Sequence, residues 1–390
     1  MSVLSSAVET APVSSLHSIG SANPDDFAVP TGREEEWRFT PLNKLRKLHA
    51  DAPLGSSGVT VAVEAAPGLV VEKQDYSERV RLAPHRRFLP TDRISARAFA
   101  AVVEGTGTEA TVITVPKETV ASAPTYVRVT GSGTETAAAG HLVIDVQPYG
   151  RATVVIDQRG SATYADNVEI HVADGGDLTV VALADWADDT VHVSHHQATL
   201  GKDAHLAHFA VTLGGSLVRL SPTVRYAAPG GDAELHGIAF ADAGQHLEQR
   251  LLVDHSATHC KSRVTYKGAL QGEDAHTVWV GDVLIRAEAE QTDTYELNRN
   301  LVLTDGARAD SVPNLEIETG EIVGAGHASA TGRFDDEQLF YLQARGIPED
   351  EARRLVVRGF FADVISRIGI EDLQERLMAR VEAELAGAVA

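Results

Sequence analysis

Gly175-Gly-Asp-Leu-Thr-Val180, Gly201-Lys-Asp-Ala-His-Leu206 and Gly230-Gly-Asp-Ala-Glu-Leu235 share one form: a glycine- and aspartate-bearing turn, then an apolar run. Gly272-Glu-Asp-Ala-His-Thr277 and Gly306-Ala-Arg-Ala-Asp-Ser311 echo it. Gly176, Gly201 and Gly231 stand 25 and 30 residues apart, about one coil of a β-solenoid. Outward from this stretch, short β-branched runs recur: Thr111-Val-Ile-Thr-Val115, Leu142-Val-Ile-Asp-Val146, Ala152-Thr-Val-Val-Ile156, Leu178-Thr-Val-Val-Ala-Leu183, Leu251-Leu-Val253 and Thr277-Val-Trp-Val280. Turn residues separate them, which is a strand grammar. No helical stretch lies between these strands, so βαβ winding is unsupported. A β-sandwich is the rival, but the turn-first repetition favours a parallel β-helix.

The expected fold is therefore mainly β, a parallel β-helix core over 101–330 with helical units at both ends. Residues 1–32 read as a flexible arm, since their Ser, Ala and Val content offers little to bury. A mixed helical unit is expected over 33–100. Within it, Thr40 can cap a helix, Pro41 suits its first turn, and Leu42, Leu45 and Leu48 fall near one face, with Trp37 as a packing anchor. From 331 to 390 the pattern turns helical. Asp335 with Gln338 forms a capping-box signature, and a second helix opens at Pro348-Glu-Asp-Glu. Ala352, Leu355, Val356, Gly359, Phe360 and Val364 recur there at helical spacing. Leu373, Leu377 and Val381 mark a third helix.

A 390-residue chain can bury a large core. Its formal net charge of −21 opposes nucleic acid and anionic membrane surfaces as partners, because both need a basic face. Residues 1–22 carry neither lysine nor arginine and no continuous apolar run, unlike a secretory signal. No run approaches the ~20 apolar residues that span a bilayer, and the lone Cys260 excludes an intramolecular disulfide and a multi-thiolate cage. A cytoplasmic location is expected.

Walker A, H-E-x-x-H and G-x-S-x-G signatures are absent, and no complete G-x-G-x-x-G occurs. Histidines gather at His192, His195, His196, His205 and His208, but residues three apart on a strand face opposite ways. Only His192 and His196 share parity within one run, and core or solvated histidines explain the group better than an ion. His255 and His259 share parity beside Cys260, which makes His259 and Cys260 weak metal-ligand candidates. Pro313 to Ile347 compresses a strand, a Gly-rich turn and a helix start. The turn holds His327 between Gly324, Gly326 and Gly332. An imidazole there suits metal ligation or proton transfer, and a turn histidine bonded to a carbonyl is the plainer reading of the local residues.

Pro313-Asn-Leu-Glu-Ile317, His327 five residues before Gly332, and Asp336-Glu-Gln-Leu-Phe-Tyr-Leu342 with Arg345-Gly-Ile347 together resemble the SufB/SufD family of iron–sulfur cluster assembly. Asn298-Arg-Asn-Leu-Val-Leu303 and the His255, His259, Cys260 group are similar to its upstream blocks. Glu36-Trp37-Arg38-Phe39-Thr40-Pro41-Leu42 resembles the N-terminal element of its SufD type. A cluster site built mainly of thiolates needs several cysteines; with one cysteine, this chain looks like the SufD rather than the SufB side. The resemblance implies a right-handed parallel β-helix and a complex with SufB and two copies of the SufC ATPase, this chain having no ATPase activity of its own. It also implies a transient iron–sulfur cluster or iron at the SufB interface, faced by His327. Some relatives carry a cysteine where Ala325 stands. A flavin in the complex and a homodimer in isolation are both compatible with it. By the same resemblance the C-terminal helices dock onto SufC, with Leu339, Phe340, Arg345, Phe360 and Phe361 as candidates for that surface or for the core beneath it. Two rival functions are a carbohydrate-active β-helix enzyme, for which no clear carboxylate pair appears, and a histidine-based metal-binding module.

Overall fold

The computed structural model describes residues 15–17, 20–75, 88–103, 109–334 and 336–387. Its centre is a parallel β-helix in which each coil contributes two strands, one to each of two facing sheets. On one face, Thr163 pairs in parallel with Val191, Val191 with Leu217, Leu217 with His246, His246 with His276 and His276 with Arg308. On the other, Arg151 pairs with Asp177, and the stack continues through His205, Asp232, Lys261, Asp293 and Gly324. Alternate strands in the chain are thus neighbours in space. We call the first stack sheet A and the second sheet B.

The repeated glycines sit at the corners between the two sheets. Gly175, Gly230, Gly272 and Gly306 all hold positive φ, a conformation that costs glycine nothing, which is why the repeat is written with that residue. At other corners Asp203, His259, Asp274 and Gln291 accept the same left-handed backbone. Between the sheets lies a continuous apolar core, with Val168, Ile170, Leu178, Val180, Leu206, Leu220, Leu235, Leu247 and Val264 all buried. Inward residues recur at every second position, as the pleat demands.

The first coil is covered by two antiparallel strands, Val59–Glu64 on Thr125–Val146 and Val70–Gln74 on Ala110–Val115. Helix α1, Arg93–Val103, lies against sheet A, where Ser95 Oγ donates to Asn167 Oδ1 at 2.7 Å. The expected helix from Thr40 is not formed. Leu42–Lys44 makes a single 3-10 turn, and Arg46 and Lys47 then adopt φ of 47° and 64°, which ends any helical path. Leu45 and Leu48 are nevertheless fully buried, with Trp37 beside them. Thr40 caps nothing; its hydroxyl donates to Glu248 Oε2 at 2.7 Å.

Three helices follow the last coil: α2, Asp336–Gln343; α3, Glu349–Ile365; and α4, Glu371–Gly387. The capping pair Asp335 and Gln338 lies outside the described residues and side chains. Helices α3 and α4 fold back over the outer face of sheet B, where Val357, Phe361, Val364, Leu373, Leu377 and Val381 meet Val181, Phe209, Ile238 and Phe240. Of the stripe expected on α3, Ala352 and Val364 are buried and Val356 and Phe360 half-buried. Leu355 and Gly359 are exposed, and Val357 and Phe361 face the sheet instead.

Candidate functional site

His327 belongs to a strand, not to a turn. Gly324–Arg333 is the last strand of sheet B, and its glycines are extended, with no positive φ among them. The Gly-Ala-Ser composition favours a turn locally, but ten consecutive pairings with Asp293–Val302 override it. Arg308–Ile317 is likewise the last strand of sheet A, paired with His276–Ile285. Within the described residues, each terminal strand has a strand partner on one side only, so the solenoid ends in two open edges.

His327 is the register partner of Glu296, and paired residues in a parallel sheet present their side chains to the same face. That face is the interior one, because Ala325 packs on the central core and Thr331 Oγ1 accepts from Asn300 Nδ2 at 3.1 Å. Among the described residues no further coil lies above the last one, and His327 is inward-facing yet exposed.

Behind it the interior changes character. Asn300 Nδ2 and Ser311 Oγ both donate to Asn298 Oδ1, at 3.0 and 2.8 Å. Glu296 is 1% exposed, and neither carboxylate oxygen has a hydrogen-bond partner. Burial, with Asp282 adding to it, pushes this carboxyl up to about 8. The Tyr266 hydroxyl and Trp279 indole N–H are also unpartnered. Gly281 makes the room: a Cβ there would stand 2.9 Å from Glu296 Oε1 and 2.5 Å from the Trp279 ring. This polar interior was missed in the sequence. Its signal is the alternation Glu296, Asn298, Asn300, where the repeat elsewhere puts aliphatic residues inward.

Since the folded value for Glu296 lies above the unfolded one near 4.5, the native state holds its proton across that window. The stabilisation is complete below pH 4.5 and is lost as pH rises through about 8. Glu296→Gln is expected to remove that slope and to raise stability by about 4 kcal/mol at pH 7.5. Urea titrations at pH 6 and 8.5 check this; an unaltered pH dependence in the variant would refute it.

The other candidates do not converge on an ion. His259 is exposed at a corner with φ of 59°, and the parity argument fails because residues 256–260 are turn, not strand. Cys260 is turned into the apolar core, with Sγ 3.4 Å from Thr258 O, and burial raises its thiol. His192 accepts from Trp186 Nε1 at 3.1 Å and contacts Asp166 Oδ1 at 2.9 Å. His196 meets His208 across the interior at 2.9 Å. His195 lies between Ser95 and Thr223 on the outer face, beneath α1. His205 pairs with Asp177 at 2.9 Å. These are core and structural histidines.

The proposed docking residues divide. Phe361 is fully buried against sheet B and Leu339 is buried too, so neither is available as a surface; the sheet behind α3 claims Phe361. Phe360 is half-buried under Lys267, whose Nζ stands 5.1 Å from the ring. Phe340 is 71% exposed, and Arg345 stacks on exposed Tyr341 at 3.9 Å. Among the described residues, no helix is long and apolar enough to cross a membrane.

The fold is thus a two-sheet parallel β-solenoid, with open edges at its last coil among the described residues and helices packed on sheet B. Residues 128–360 match the family described as SUF system FeS cluster assembly, SufBD core domain. The chain is 58% identical over 370 residues to an iron–sulfur cluster assembly SufBD family protein of Mycobacterium bovis, covering 93% of this chain and 90% of that one. It is 57% identical to a SufBD family protein of Mycobacterium leprae, over 93% and 92% of the two chains. Against the iron–sulfur cluster assembly protein SufD of Escherichia coli it is 25% identical over 92% and 90%. The chain belongs to the SufBD family of SUF-system iron–sulfur cluster assembly proteins.

Proposed function

We propose that this chain is the SufD-type scaffold subunit of a SufB–SufC–SufD complex, and that His327 presents its imidazole to iron or a nascent cluster at the SufB junction. The observation that carries this reading is the position of His327, inward-facing but exposed on an open terminal strand. Pairing of the two terminal strands with those of SufB would cover the free edges, and a SufB thiolate opposite His327 would complete a ligand set this chain alone does not provide. The SufD-like relatives in Escherichia coli and Bacillus subtilis support the subunit assignment.

Exposed Phe340 and Tyr341 on α2, with Arg345 just after it, form the surface we assign to SufC. ATP hydrolysis there would move the helices and open the junction to iron and sulfur. Reducing equivalents come from outside the chain, with a reduced flavin as the candidate donor. The setting is cytoplasmic in this reading.

Co-expression with SufB and SufC tests it. His327→Ala is expected to leave the purified complex intact by size-exclusion chromatography while its iron and sulfide content falls about tenfold, the scale of losing a contributing ligand. Unchanged cluster content would remove His327 from the mechanism, and loss of assembly would make its role structural.

A further inference from the structure

A second group of ligand-type side chains lies at the same end of the solenoid but outside its interior. The last strand of sheet A ends at Ile317, and Glu316 and Glu318 flank that residue. Glu316 is in the strand and Glu318 is the first residue past its end, and both carboxylates reach the same imidazole. Glu316 is on the outer face, since its strand neighbour Leu315 packs on the central core. His17, from the 3-10 turn Ser15–His17, reaches across the chain to both. Its Nε2 is 3.4 Å from Glu316 Oε1 and 3.1 Å from Glu318 Oε1. One donor atom from each of the three residues lies within 4.8 Å of the others, and among the described residues this is the one group of three or more His, Cys, Asp or Glu side chains to converge so.

The separations fit a bound ion as well as a salt bridge. Bonds of about 2.0–2.2 Å to imidazole nitrogen and carboxylate oxygen set neighbouring donors of a tetrahedral or octahedral shell roughly 3.0–3.5 Å apart. The two nitrogen–oxygen separations fall in that range. One imidazole with two carboxylates is a donor set for Zn²⁺, Fe²⁺ or Mn²⁺; copper(I) prefers thiolates, and Ca²⁺ and Mg²⁺ prefer oxygen alone. The side chains keep 19, 35 and 33% exposure, which leaves coordination positions for water.

We propose that His17, Glu316 and Glu318 form a binding site for a divalent first-row transition metal, which ties the N-terminal arm to the final coil. The site is separate from His327, which faces the interior of the neighbouring sheet. Its closure has a further effect. Leu16 and Glu316 both line a cavity of about 780 Å³ that also holds Glu36, Arg219 and Asp282, so the metal would fix the arm as one wall of that cavity.

The test uses the full chain stripped with a chelator and titrated with Co²⁺, read by its visible absorption, and with Zn²⁺, read by calorimetry. One equivalent is expected to bind. His17→Ala and the double variant Glu316→Gln, Glu318→Gln should each weaken that binding by at least about tenfold, while His327→Ala leaves it unchanged. Zn²⁺ should also slow proteolysis of the arm before Gly20 in the wild-type chain and not in His17→Ala. Absence of a bound equivalent, or binding that survives both the His17 and the double glutamate variants, overturns the site. So does binding that is lost only in His327→Ala.

Discussion

Acidification from pH 6.5 to pH 4 is expected to strip most of the stability from this protein, and buried histidines are the cause. His195, His208 and His255 are all buried, and burial pushes each down to about 4. Asp92 works against this at His195, and Asp254 and Asp293 at His255, while Arg225 and Arg219 reinforce it at His195 and His236 at His208. Their folded values lie below the unfolded value of about 6.5, so between the two the unfolded chain binds more protons. The contribution of these three histidines is complete above pH 6.5 and is lost as pH falls toward 4. Each histidine accounts for about 3 kcal/mol, against a total of roughly 5–15 kcal/mol for a folded domain. Urea denaturation followed by tryptophan fluorescence at pH 7.0, 5.5 and 4.5 measures the slope. A flat profile between pH 7 and 5 would show that these imidazoles titrate normally. His208→Leu should reduce the slope by about one proton, since it leaves His196 its neutral environment.

Replacing Arg219 by methionine is expected to cost about 3–5 kcal/mol, the scale for removing one partner from a buried ion pair. The Arg219 side chain is 1% exposed, and its guanidinium carbon sits 3.8 Å above the Trp37 ring. Its Nε is 3.4 Å from Glu248 Oε1, and its Nη2 is 3.4 Å from Glu36 Oε1. These contacts are charge pairing and stacking more than directed hydrogen bonds, for Nε and Nη1 have no hydrogen-bond partner. Burial works against the Glu248 charge, yet Arg219 and His246 hold its carboxyl at about 2. Burial pushes the Glu36 carboxyl up to about 7 in spite of Arg219. Without the guanidinium, Glu248 is left charged in a fully buried place, and the segment carrying Trp37, Leu45 and Leu48 loses its anchor. Limited proteolysis between residues 34 and 48 should accelerate along with the drop in urea midpoint. Adding Glu248→Gln should recover part of the loss; a midpoint within 0.5 kcal/mol of wild type, an order-of-magnitude threshold for surface effects, would sink the argument.

The solenoid was legible because its corners demand left-handed backbone, and glycine at 175, 230, 272 and 306 advertises that demand. What escaped was decided by contacts distant in sequence. Gly324–Arg333 has little intrinsic strand preference and becomes a strand because the preceding coil offers ten pairing positions. Thr40 to Leu48 has the spacing of a helix, but the chain turns at Arg46 and Lys47 and still delivers Leu45 and Leu48 to the core. Parity separated His205 from His208 correctly, yet it says nothing across the interior, where His208 finds His196 on the opposite sheet. The same rule misled at His259, since alternation stops where the strand stops. For α3 the expected stripe holds at Ala352 and Val364, while between them the outer face of sheet B buries Val357 and Phe361 in place of Leu355 and Gly359.

The C-terminal helices have a bearing on cooperativity. In a solenoid each coil touches its neighbours, so stability accumulates step by step and the ends can fray independently. Here Arg376 on α4 grips Asp157 through two hydrogen bonds, at 2.6 and 3.0 Å, and Arg380 holds Asp185 at 2.7 Å. Those aspartates belong to the earliest coils, 219 and 195 residues back along the chain. Helix α4 therefore clasps the earliest coils, and a row of stacked repeats becomes a closed loop of dependence that must open as one.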